Sequence, residues 1–215
     1  MVSIRNIVLF IAAVSAGLSV FPVALAETSH GPCAYSRAEM LALDQDAFDQ
    51  DFKGGWRAVA KVDGCRLAAA DLIRDYIETN NTSATILIFH EAQMRAMAGQ
   101  TDEALDLFAE TYKAPGKTDR IGWNYYVDAT IAFLRKDRNA LNIARSRLFE
   151  VSEPDNFNPV DINGRAVDLI WPPNLNVVDG FVACFTKSYG EAFNECSGPL
   201  VRKSANKPKV TEASN

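Results

Sequence analysis

Histidine is scarce in this 215-residue chain, with only His30 and His90 present. That excludes a histidine-rich metal cluster and leaves little for a histidine-based triad. The chain has no glycine-rich phosphate loop and no Gly-x-Ser-x-Gly elbow, so the common nucleotide-binding and serine-hydrolase signatures are missing. No Cys-x-x-Cys occurs, which argues against a redox-catalytic pair or a zinc ribbon. Basic residues are not in excess: 22 Lys and Arg face 27 Asp and Glu, a formal net charge of -5, so a nucleic-acid partner is not expected. What remains is 48% hydrophobic and 23% charged, the composition of a globular domain. No residue pattern indicates a cofactor.

The one long apolar run lies at the start. Arg5 precedes an almost wholly apolar stretch from Ile7 to Val20, and Ala24-Leu25-Ala26 offers small residues where a signal peptidase reads. Charged start, apolar centre and A-x-A end predict a secretory signal peptide over residues 1–26. The mature chain is then expected to begin at Glu27, to carry no membrane span and to reside in the periplasm or outside the cell. Export sets the meaning of Cys33, Cys65, Cys184 and Cys196. In an oxidising compartment four thiols form bridges, with three connectivities open. The simplest pairs neighbours in sequence, Cys33–Cys65 and Cys184–Cys196.

Helical periodicity dominates the mature chain. Ser36-Arg37-Ala38-Glu39 has the form of a capping box and opens an amphipathic helix expected to run to about Asp51. Gly54-Gly55 interrupts it and Trp56–Ala60 resumes. Further helices are expected over Cys65–Glu78, Ala84–Ala98, Ala104–Tyr112, Trp123–Leu134, Ala140–Phe149, Leu175–Phe185 and Tyr189–Cys196. Short turns at Gly99-Gln100 and Arg135-Lys136-Asp137 imply antiparallel hairpins. Pro115-Gly116 is a break, and Asn163-Gly164 could turn a short strand pair within Val160–Ile170. Residues 201–215 read as a flexible tail after a single domain over 27–200.

The hairpins recur. Gly64 with Ala69, Gly99 with Ala104 and Arg135 with Ala140 hold equivalent places, and the alanines lie 35 and 36 residues apart. A small residue suits the point where two helices cross most closely. In the unit from Ile88 to Pro115, Ala92, Gly99, Ala104, Phe108 and Pro115 follow in order. This pattern resembles the tetratricopeptide-repeat family over about residues 46–151. It departs from it where Ile88, Glu91 and Arg95 replace the large aromatic, leucine and tyrosine of the first helix. The resemblance implies an all-α fold of stacked antiparallel hairpins in a right-handed array, with an irregular C-terminal region and a concave face that binds a protein or peptide. On that face the first helices would place Glu91, Arg95, Asn124 and Asp128, with the charged pair rotated outward.

Other candidate chemistry is thin. His90-Glu91 starts a zinc-protease pattern, but Met94 stands where the second histidine belongs. Asp44, Asp46, Asp49 and Asp51 lack the glycine and glutamate of a calcium loop and read as a solvated helix face. Trp56, Trp123 and Trp171 read as packing anchors. The sequence therefore predicts an exported, non-catalytic helical-repeat protein that binds an unidentified protein or peptide. The alternative is a small exported enzyme or envelope accessory factor whose acidic site has no sequence signature.

Overall fold

The computed structural model describes residues 31–114, 119–160 and 164–200. The leader over 1–26, the break at Pro115, Asn163 of the expected turn and the tail over 201–215 lie outside the described residues. Among the described residues the regular structure is helical: α1 Arg37–Leu41, a π-helical turn Asp46–Gln50, α2 Gly55–Ala60, α3 Arg66–Thr79, α4 Thr85–Met97, α5 Thr101–Glu110, α6 Trp123–Leu134, α7 Arg138–Phe149, α8 Leu175–Ala183 and α9 Tyr189–Glu195. The region expected to hold a strand pair has no strand among the described residues, and Val160 and Ala166 form an isolated antiparallel bridge.

Local chemistry sets the ends of several helices. Ser36 accepts a hydrogen bond from the Glu39 amide at the start of α1, and Asp137 accepts from the Ala140 amide at the start of α7. Ser188 and Glu191 make a reciprocal capping box on α9. Gly99, in the left-handed region at φ 87°, turns α4 into α5.

The first helix is shorter than its periodicity predicts. It stops at Leu41, and the Asp44 carboxylate accepts the Ala47 amide at 2.8 Å to begin a separate turn. That turn is π-helical and buries both Phe48 and Asp49. It presses directly on the start of α2. Gly55 lies there at φ 49°, and a Cβ on it would sit 1.9 Å from the Phe48 carbonyl oxygen. Only glycine fits that approach.

Consecutive helices pack side by side, most extensively α3 on α4, α4 on α5 and α6 on α7. The chain then doubles back: α8 packs on α6 and α7, and α9 packs on α8 and reaches α4. Ala69, Ala92 and Ala104 are fully buried and Phe108 has no exposed surface, whereas Ala140 is only half-buried. Two apolar cores result. One gathers Phe48, Trp56, Leu72, Ile73 and Tyr76 from the N-terminal elements. The other gathers Phe108, Tyr126, Phe133, Leu148, Phe181 and Tyr189. Helix α4 serves both, giving Leu87 and Met94 to the first and Phe89, Ala92 and Ala96 to the second. Each core carries one bridge. Cys33–Cys65 has a Cα separation of 5.4 Å and Cys184–Cys196 one of 6.3 Å, the pairing of sequence neighbours. No helix among the described residues is long and apolar enough to cross a membrane.

Candidate functional site

Helix α4 has two polar stripes, and they meet different fates. Glu91 and Arg95 were expected outward on a binding face; the structure buries both, each 3% exposed. The reason is a set of partners supplied by α3 and by the α4–α5 turn. Arg95 donates to Glu91 Oε1 at 2.7 Å, to Gln100 Oε1 at 2.7 Å and to Asp71 Oδ1 at 2.9 Å. Arg74 donates to the same Glu91 oxygen. Burial alone would lower the Arg95 pKa, but hydrogen bonds and charge from Glu91 and Asp71 raise it above its ordinary value. This is an ionic joint between α3 and α4, in which the Glu91 and Arg95 side chains are engaged by Asp71, Arg74 and Gln100.

The other two expected contact residues also have internal roles. The Asn124 amide both accepts from and donates to the Lys113 backbone, closing the connection before α6. Asp128 accepts the Tyr112 hydroxyl at 2.7 Å and lines a separate cleft of about 320 Å³ beside Arg135 and Arg147. The four residues do not converge on one surface.

The second stripe of α4 does face a cleft. Ile86, Phe89, His90 and Gln93 line a space of about 490 Å³ together with Trp123 and Tyr126 of α6, Asn176 and Val177 of α8 and Phe193 and Asn194 of α9. Its mouth is apolar: Phe52 is 68% exposed and Leu200 46%. Phe89 packs edge-on to Phe108 and tilts against Trp123 and Tyr126, so the wall is a connected aromatic cluster. At its base Gln93 donates, at 3.4 Å each, to the hydroxyls of Tyr126 and Tyr189. Burial keeps both phenols protonated, pushing them well above their ordinary pKa.

One end of the cleft is built by the π-turn. Asp49 is fully buried, yet both carboxylate oxygens are occupied. Oδ1 meets His90 Nδ1 at 2.6 Å and accepts Trp56 Nε1 at 2.8 Å, and Oδ2 accepts the Gln50 amide. Burial pushes the Asp49 carboxyl up, but the His90 and Trp56 hydrogen bonds and the nearby positive groups outweigh it and hold the pKa below its usual value. The ionised acid fixes the imidazole through Nδ1, and the His90 side chain lines the cleft. Arg57 sits beside it. Its Nε donates to the Asp49 carbonyl at 2.8 Å, and its guanidinium lies over the Trp56 ring at 4.2 Å and the Phe52 ring at 5.2 Å. No group of three or more His, Cys, Asp or Glu side chains converges to hold a metal among the described residues.

The sequence offers His90 only as the start of a zinc pattern that Met94 breaks, and Asp49 as part of a solvated face. It does not single out Arg57, Gln93, Asn174 or Asn176. One signal was present: Ile86, Phe89, His90 and Gln93 recur at helical spacing, as a stripe separate from Leu87, Glu91, Met94 and Arg95. No family model matches this chain, and neither the curated proteins nor the solved structures contain a significant match to it.

Proposed function

We propose that this is an exported, tetratricopeptide-like protein that binds a peptide segment of another protein in the cleft between α4, α6, α8 and α9. One observation carries the reading: the cleft is walled by α4, α6, α8 and α9 and combines an aromatic wall with Gln and Asn side chains. Aromatic surface supplies contact area, and amides suit a peptide backbone with its alternating donors and acceptors. The exposed apolar rim at Phe52 and Leu200 extends that surface to the mouth. Two disulfides fit the oxidising compartment that a cleaved leader would deliver the chain to.

The test is selection of dodecapeptides from a displayed random library on the oxidised mature protein. Binders should weaken at least tenfold on Phe52→Asp or Leu200→Asp, changes at exposed positions that leave the melting temperature in place. Failure to select any peptide sensitive to these variants refutes the reading. A second reading, a small exported hydrolase, is favoured by the Asp49–His90 pair, because a carboxylate-held imidazole is the form a general base takes. Cleavage of a bound peptide, lost in His90→Gln, would establish it.

A further inference from the structure

We infer that the Arg57–His90 end of the cleft is a carboxylate pocket, which takes an acidic side chain of the bound peptide while the aromatic wall takes apolar neighbours. The inference rests on the peptide-binding reading above and names what that peptide must carry.

Charge complementarity gives the first argument. Among the described residues lining the cleft, Arg57 is the only one with a permanent charge. Its guanidinium is not spent on an ion pair. Nε is tied to a backbone carbonyl, that of Asp49, and the terminal nitrogens have no hydrogen-bond partner among the described residues. Two aromatic faces, Trp56 and Phe52, hold the plane of the group. The result is an immobilised fork with its two-nitrogen end unpaired, the geometry that receives a carboxylate through two parallel hydrogen bonds.

The surroundings give the second argument. An acid at the base of such a pocket would normally repel an anionic ligand, and Asp49 lies close by. Its oxygens, however, are taken by His90, Trp56 and Gln50, and it is fully buried. Its carboxylate therefore orients the His90 ring through Nδ1, while its charge also acts on Arg57. The donor fork of Arg57 from α2 and the His90 ring from α4 then flank the same end of the cleft. The rest of the described lining is uncharged: Phe89, Trp123, Val177 and Phe193 are largely carbon surface, and Asn174, Asn176 and Asn194 are amides. A ligand that fills the space thus needs one anionic group and an apolar body. Preorganisation keeps the entropic cost of capture low, since the Arg57 fork need not be ordered by the ligand.

The experiment uses the displayed library and synthetic copies of the selected peptides. Binders should be enriched for Asp or Glu at one position flanked by apolar or aromatic residues. Changing that Glu to Gln in the peptide should raise Kd at least tenfold on the wild-type protein and less than twofold on Arg57→Gln. Arg57→Lys, which keeps charge but loses the fork, should recover only part of the affinity. C-terminal amidation should leave Kd unchanged. Selected peptides with no acidic enrichment, an equal Glu-to-Gln penalty on wild type and Arg57→Gln, or binding lost on amidation would each overturn the side-chain carboxylate pocket while leaving peptide binding in place. A library that yields no cleft-directed binder overturns the peptide reading itself. The peptide-side substitution is read on unaltered protein, so it decides the matter even if an Arg57 variant folds poorly.

Discussion

Replacing Arg95 by methionine tests the ionic joint between α3 and α4. The change keeps a long, flexible side chain but removes three hydrogen bonds, to Glu91, Gln100 and Asp71. Their worth differs. Asp71 is 57% exposed and returns to water, so its pair with Arg95 counts for about 0–1 kcal/mol. Glu91 is only 4% exposed, and stripping a partner from a buried ion costs about 3–5 kcal/mol. Arg74 still reaches Glu91 at 2.9 Å from a half-exposed position, which puts the loss at the low end. The total is about 3 kcal/mol, or about 6–12 °C in melting temperature for a domain of this size. Urea unfolding followed by far-UV circular dichroism measures it. The double variant Glu91→Leu/Arg95→Met removes both buried charges and should cost about 2 kcal/mol less than the two single changes added, because apolar replacement of a whole buried pair is close to neutral. A single-variant loss under about 1 kcal/mol, or strict additivity, would refute the buried joint and return Arg95 to the surface, where substitutions cost about 0.5 kcal/mol or less.

Other outcomes follow from the same physics. Asp49→Asn should destabilise by about 1.5–3 kcal/mol at pH 7. Because the folded Asp49 pKa is depressed, its contribution is complete above the usual carboxylate value and disappears as pH falls below about 4, so the gap from wild type should narrow in urea titrations at pH 3. Gly55→Ala should lose at least about 2 kcal/mol, since its Cβ would meet the Phe48 carbonyl from a left-handed backbone; an unchanged denaturation midpoint would contradict that approach. Phe108→Ala and Ala104→Leu, both at fully buried positions, should cost about 3–5 and about 1–3 kcal/mol in thermal melts. Opening Cys33–Cys65 or Cys184–Cys196 by Ser substitution should cost about 4 and about 3 kcal/mol, in the order of their sequence separations of 32 and 12, and non-reducing peptide mapping should recover these two links.

The helices from residue 65 to 149 were legible because their punctuation is local. Gly99, Asp137 and the alternation of apolar stripes act within a turn or two of chain. The pairing of the cysteines was equally legible, each loop being closed by its nearest neighbour. The segment from Ser36 to Asp51 was not, because a continuous amphipathic pattern does not reveal that the Asp44 carboxylate captures the Ala47 amide and starts a new turn. The site was hidden for a related reason. Asp49 belongs to a run of exposed acids, and its burial depends on His90, 41 residues further on. Glu91 and Arg95 misled in the same way: charge in a helix reads as exposure unless partners from Asp71, Arg74 and Gln100 are known. Long-range compensation of polar groups leaves no periodic trace in one sequence.

The double allegiance of α4 has a consequence for how the chain can come apart. A helix that gives Leu87 and Met94 to one core and Phe89, Ala92 and Ala96 to the other is a party wall. Melting either core strips one side of it, and the remaining core then loses the rigidity of its own boundary. The two halves should therefore unfold in one transition, with calorimetric and van't Hoff enthalpies in agreement. The same wall forbids a clean partition of the gene. A fragment ending after α3 and one beginning at α5 would each lack the helix that closes its core, so neither half carries enough sequence to fold without borrowing from the other.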